Sequence, residues 1–251
     1  MNLKRMITAL ACSALLLVPF TSISTHAQGI DIHQQSIPSK LPVIGDPLPK
    51  VNQDKVTTPL HPFSASNIKN SNSFFHTLAA TRTVTILIAA DEEYRAAHPD
   101  WKSLTKQLVE KAGQSFLTEH NIQFSVVNYT TWKSDGYDSA SILYDLNTEW
   151  GNTSSYDFVI GFTKDTRFTA GGIAYMYPSA PPSGISVIFD LGTLYTPYAI
   201  QHEISHNYGL PHDASGSGIA CMMNYDYAYS VKYWDASHDA LLESHRNWYG
   251  Y

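Results

Sequence analysis

Eleven consecutive residues constrain this chain more than any other feature: His202-Glu203-Ile204-Ser205-His206-Asn207-Tyr208-Gly209-Leu210-Pro211-His212. On a helix, side chains four apart share a face, so the spacing predicts that His202 and His206 point at one common place. Gly209 supplies the left-handed turn that ends such a helix cheaply, and Pro211 keeps the helix from resuming. The chain can then fold back and deliver His212 as a third nitrogen. A fold that satisfies this segment must hold a helix against a packed support and leave the turn beyond it room to return.

The chemistry follows from the residue types. Three protein nitrogens around a divalent ion leave one position for water, the arrangement of a catalytic rather than a structural zinc site. Glu203 adjoins the first histidine, where its carboxylate can take a proton from that water and later return it to a leaving amine. Zinc lowers the pKa of bound water towards ~7. A bare His-Glu-x-x-His is a modest signal, since polar helix faces carry such residues. With Gly209 and His212 added, a chance match in a chain of this length is on the order of 1 in 10,000 or rarer.

The extended motif resembles that of the metzincin clan of zinc proteases, in which a methionine-bearing turn follows beneath the metal. Cys221-Met222-Met223-Asn224-Tyr225 lies at a suitable distance. Met223 matches the turn methionine of the Cys-x-Met form in adamalysin-like members, with Met222 the other candidate. Tyr225, two residues after Met223, matches the Met-x-Tyr form of astacin-like and serralysin-like members. The resemblance implies a tyrosine that assists at the oxyanion, and a tyrosine of the pocket wall is the other reading. Asp213, after the third histidine, is by resemblance a structural carboxylate and not a ligand. Gly171-Gly172-Ile173-Ala174-Tyr175-Met176-Tyr177 resembles the edge strand that binds substrate in these enzymes. Such an edge pairs with an extended peptide backbone. Tyr225, Tyr227 and Tyr229 are candidates to line a specificity pocket.

Elsewhere the chain reads as a secreted precursor. Lys4 and Arg5, the apolar stretch Met6–Phe20 and the small-x-small site Thr25-His26-Ala27 form a signal peptide over residues 1–27. The apolar stretch, broken by Pro19, is shorter than the ~20 residues of a membrane span. Its removal takes Cys12 and leaves Cys221 alone, so no internal disulfide is expected and a buried, inert thiol is. Residues 28–80 hold six prolines between Pro38 and Pro62 and then a Ser/Asn-rich stretch, without a sustained helix or strand period. That segment reads as a pro-segment removed near Phe74 to Arg82, and a flexible N-terminal extension that is kept is the other reading. It lacks cysteine, so a thiolate cannot hold the enzyme latent, whereas a carboxylate or steric block can.

Residues 81–251 read as one catalytic domain of the α+β class, with a metzincin-like five-stranded mixed sheet, two long helices and a C-terminal helical subdomain. The strands are expected at Val84–Ala90, Ile122–Val127, Tyr156–Phe162, Gly172–Tyr177 and Ile185–Phe189. Helices are expected over Pro99–Asn121, over Ser139–Trp150, from Pro197 (capped by Thr196) to Tyr208, and over Asp235–Trp248. His98, His120, His238 and His245 read as surface residues. A net charge of −6 and the lack of a basic run exclude nucleic acid as a partner. The expected protein is a monomeric, extracellular zinc endopeptidase with one catalytic ion, acting on proteins or peptides and, once the signal is removed, with no membrane association. Its rivals are a zinc-binding module without turnover and a zinc amidohydrolase acting on a non-protein amide.

Overall fold

The structure, a computed structural model, describes residues 80–251 and the backbone of Val43–Gly45. The expected signal peptide, the remainder of residues 28–79, and His33, His61 and His76 lie outside the described residues.

Burial on both sides dictates the middle of the sheet. Strand β2 (Arg82–Ala90) is parallel to β3 (Ile122–Thr131) and to β4 (Phe158–Thr163), and β4 is parallel to β6 (Gly184–Phe189). Strand β5 (Gly172–Tyr175) runs antiparallel to β6. Because side chains alternate along a strand, Ile86, Ile88, Phe158, Ile160 and Ile188 face one core, and Leu87, Ala89, Val159, Ile185 and Val187 the other. Such near-continuous apolar runs are what a parallel strand covered on both faces needs.

The first core is closed by α2 (Trp101–His120), which contributes Leu108, Ala112 and Phe116, and by α4 (Gly192–Asn207), which contributes Ala199, Ile200 and Ile204. The second is closed by α3 (Ser139–Trp150) through Ile142, Leu143 and Leu146. A short α1 (Glu92–Ala97), capped by the Asp91 carboxylate, follows β2 directly. It was not expected, because six residues carry too little periodicity to register. Among the described residues, none of the helices is long and apolar enough to cross a membrane.

The expected α+β fold with a mixed sheet is present, and several boundaries differ for local reasons. Strand β3 continues four residues beyond Val127, since an irregularity in its pairing with β2 passes over that residue and leaves it half exposed. Thr196 does not cap α4. The helix begins at Gly192, its φ of +71° permitting the turn, and Pro197 lies inside it. A proline there cannot bond the carbonyl four residues back, which is that of Thr193, and the Lys111 ammonium donates to that oxygen instead (3.4 Å). The Thr196 hydroxyl accepts from the Leu191 N–H at 3.1 Å. The expected last helix divides into α5 (Ala236–His245), capped by Asp235, and a 3-10 turn over Arg246–Trp248.

A sixth strand, β1 (Val43–Gly45), lies in the segment expected to carry none. It pairs antiparallel with β5, so that the sheet order is β1-β5-β6-β4-β2-β3. Three residues are too few to show a period, and strand addition depends on backbone groups that no side-chain pattern reports.

Candidate metal centre and active site

Helix α4 carries its chemistry on its most buried stretch. His202, Glu203 and His206 are each no more than 1% exposed. The end of the helix is a glycine-based cap in which the Gly209 N–H donates to the His206 carbonyl (2.8 Å) and the Leu210 N–H to that of Ser205 (3.1 Å). Gly209 has a φ of +85°, the left-handed conformation that glycine adopts without strain. The turn then returns His212 to the helix face as the spacing predicts.

The three imidazoles meet at their Nε2 atoms. The separations are 3.0 Å between His202 and His206, 2.9 Å between His202 and His212, and 3.0 Å between His206 and His212. The tautomers of two rings follow from their neighbours. The Nδ1–H of His202 donates to the Met222 carbonyl (2.6 Å) and that of His206 to the Leu210 carbonyl (2.7 Å), since a carbonyl can only accept. In the neutral rings this directs the Nε2 lone pairs inward. Three nitrogens so gathered fit a divalent cation with metal–nitrogen bonds of about 2.0–2.1 Å, the donor set and spacing of a zinc site. Carbonyl partners on Nδ1 fix ring orientation in the way that outer contacts of zinc-binding histidines do.

Glu203 sits against β5. A Cβ added to Gly172 would lie 2.3 Å from Glu203 Oε1 and 2.7 Å from its Cγ, so only glycine lets β5 pass this close. The sequence offered several explanations for a glycine in a strand, and close approach to the carboxylate is the one the structure gives. Tyr225 packs on the third histidine, with ring centroids 4.1 Å apart, and lies 6.4 Å from the His202 ring. Met222 and Met223 are both fully buried. Met222 supports His202 through its carbonyl, while the Met223 carbonyl accepts from the Asp213 N–H at 3.0 Å.

Two buried polar groups leave no mark in the sequence. His238 and His120, expected at the surface, are 5% and 3% exposed. His120 lies between the carboxylates of Asp239 (3.2 Å) and Glu243 (3.1 Å). The Nε2–H of His238 donates to the carbonyl of Pro211 (2.9 Å), the residue before the third histidine. Its Nδ1 contacts the Asp235 carboxylate, with Asp213 Oδ2 at 3.7 Å and Cys221 Sγ at 3.5 Å. The His238 contact holds the Asp235 carboxyl below the usual carboxylate range, against the opposing effect of burial. Burial, together with the Asp235 carboxylate that accepts its proton, pushes the Cys221 thiol up to about 12, so it is the inert thiol expected. His98 and His245 also have partners, Asp190 at 2.8 Å and the Tyr208 carbonyl at 2.6 Å.

Asn207 is the second missed group. Its amide donates to the carbonyls of Tyr175 (2.9 Å) and Ile185 (3.1 Å), tying the end of α4 to β5 and β6. The only signal for either residue was a polar side chain on a buried helix face, which a sequence cannot distinguish from an exposed one.

Comparison with known proteins agrees with the geometry. A solved structure described as "Structure of a chaperone-substrate complex" superposes with a TM-score of 0.53 at 13% sequence identity, over 69% of this chain and 36% of that one. The chain therefore spans about a third of that structure's chain, and at such low identity the likeness is one of fold. No curated protein sequence matches. A family model described as Metallo-peptidase family M12 (Reprolysin_5) matches residues 80–235, a stretch that runs from the first core strand through all three histidines and the Met222–Met223 turn. With well over half of its length matched, the chain belongs to metallo-peptidase family M12, the metzincin-type zinc metalloproteases that its motif resembles.

Proposed function

We propose that this chain is a secreted, zinc-dependent endopeptidase in which His202, His206 and His212 hold the ion and Glu203 is the general base. The convergence of three Nε2 atoms within 3.0 Å of one another carries the reading. A zinc ion there supplies a Lewis acid and makes water acidic enough to be deprotonated near neutral pH. The chain's own residues do the rest. Glu203 takes a proton from the attacking water and passes it to the nitrogen of the departing amine, so one carboxylate serves both halves of the reaction. The backbone of β5 aligns the extended substrate beside that carboxylate, since Gly172 touches it. The Tyr225 phenol donates a hydrogen bond to the oxygen that gains charge as the carbonyl is attacked. Residues 1–27 direct export, residues 28–80 are removed on maturation, and the mature enzyme acts as a monomer.

The test is casein hydrolysis by the mature enzyme and its Glu203→Gln variant, with zinc measured in both. The variant is expected to keep its zinc and to lose about 10²–10⁴-fold in kcat. Full activity in the variant would end the mechanism. A zinc-bearing parent that cleaves no protein would favour the non-catalytic module, and one that cleaves only small amides would favour the amidohydrolase.

A further inference from the structure

Four side chains with metal-binding chemistry stand outside the three-histidine site. Asp213, Cys221, Asp235 and His238 each bring one ligand atom to a place where all four atoms lie within 4.8 Å of one another. Asp213 follows the third histidine, Cys221 precedes Met222, and Asp235 and His238 stand at the start of α5. From His238 Nδ1, Cys221 Sγ is 3.5 Å away and Asp213 Oδ2 3.7 Å. Two ligands of a tetrahedral ion with bonds of about 2.0–2.3 Å stand roughly 3.3–3.6 Å apart, so a small movement brings these donors onto one ion. Each donor also faces the right way. The Pro211 carbonyl holds the Nε2–H of His238, so in the neutral ring the Nδ1 lone pair turns to the cluster. The backbone N–H groups of Met223 (3.4 Å) and Asp235 (3.3 Å) both donate to Cys221 Sγ, which favours a thiolate. Asp235 uses Oδ1 to cap α5 and leaves Oδ2 facing inward. Asp213 Oδ2 is buried, and among the described residues nothing donates a hydrogen bond to it. A buried acceptor in that state is costly, and a cation answers the cost.

From this cluster we infer a second metal site, in which Asp213, Cys221, Asp235 and His238 hold a structural zinc ion. A thiolate and an imidazole among the donors select a zinc-like ion over calcium or magnesium, which take oxygen ligands. Four protein ligands leave no position for water, so this ion braces the fold and does not catalyse. It ties the return after His212 to the methionine turn and to α5, segments that no disulfide joins among the described residues. Binding releases one proton. The thiol hydrogen that the Asp235 carboxylate accepts passes to water as the sulfur–metal bond forms. Burial and Asp235 both hold that proton on the sulfur, whereas neutral imidazoles have none to lose. The three-histidine site therefore fills first and this one second. The inference stands apart from the peptidase reading, since it concerns neither Glu203 nor a substrate.

The test is a cobalt titration, without oxygen, of the full chain carrying Cys12→Ser and Glu203→Gln, so that Cys221 is its one thiol and the chain stays whole. Cobalt stands in for zinc, and a thiolate ligand gives it a near-ultraviolet charge-transfer band to which three imidazoles cannot contribute. Two equivalents are expected to bind, with the band growing alongside the second. Adding Cys221→Ser should leave one equivalent and abolish the band. Asp213→Asn keeps the thiol and the size of the side chain, and serves where Cys221→Ser does not fold. It should weaken the second equivalent at least tenfold. A single equivalent with no band would overturn the inference, as would a second equivalent that binds without the band. Equal affinity for the second cobalt in Asp213→Asn and its parent would overturn it as well.

Discussion

The parallel half of the sheet and the loop region from Gly209 to Asp235, joined by His238 of α5, hold the same site by different physics. Strands β2, β4 and β6 are apolar on both faces, and they position α4 by sharing one buried core with its Ile200 and Ile204. That support is non-directional and tolerates small shape changes. The loop region contains no regular element between α4 and α5; it buries Met222, Met223 and Trp234 in the first core, and individual hydrogen bonds set its course. The His202 ring meets the Met222 carbonyl, the Asp213 N–H meets that of Met223, and His238 meets that of Pro211. Oil-like burial sets where the helix lies, while directional bonds set where the third histidine points.

That division can be broken by substitutions whose effects fall on different readouts. Ile160→Ala, in the middle of the sheet and fully buried, should cost about 2–5 kcal/mol of stability, measured by denaturant unfolding, with zinc affinity of the folded protein unchanged. A weakened zinc site in that variant would show that the two regions are not separable. Gly172→Ala displaces the Glu203 carboxylate rather than the core, so kcat should fall about 10²-fold while the melting temperature and zinc content hold.

In the loop region the balance should reverse. His238→Ala removes the donor to the Pro211 carbonyl and frees the turn before His212. Zinc affinity, read by competition with a chelator, is expected to weaken about 10–100-fold, as when an outer contact of a zinc ligand is lost. His238→Gln keeps an N–H donor and should recover part of it. An affinity equal to the parent's in His238→Ala would mean that the turn is set by the backbone alone. Tyr225→Phe is the mildest case: it keeps the ring packed on His212 and removes one hydroxyl. It should lower kcat about tenfold at unchanged zinc affinity, on the scale of one hydrogen bond. An unchanged kcat would leave Tyr225 as pocket wall.

The same contrast explains what could be read from the amino acids. Burial writes itself into a sequence as periodicity, so the five core strands and α3 were legible within a few residues. The histidine motif was legible because its spacing encodes helix, turn and return together. Directional support leaves little trace. His238 and Asn207 look like any polar helix residue until their carbonyl partners are seen. The start of α4 was misread because Pro197 suits a first turn, and nothing local shows that Lys111, from another helix, supplies the Thr193 carbonyl with a donor. Strand β1 was invisible for the same reason, being held by the backbone of a strand more than a hundred residues away.

The most direct test of the account is anomalous scattering from crystals of the zinc-loaded protein, recorded on both sides of the zinc absorption edge. One strong zinc peak is expected about 2.0–2.1 Å from the Nε2 atoms of His202, His206 and His212 alike. A peak that leaves out His212, or one seated instead among Asp213, Cys221, Asp235 and His238, would contradict it.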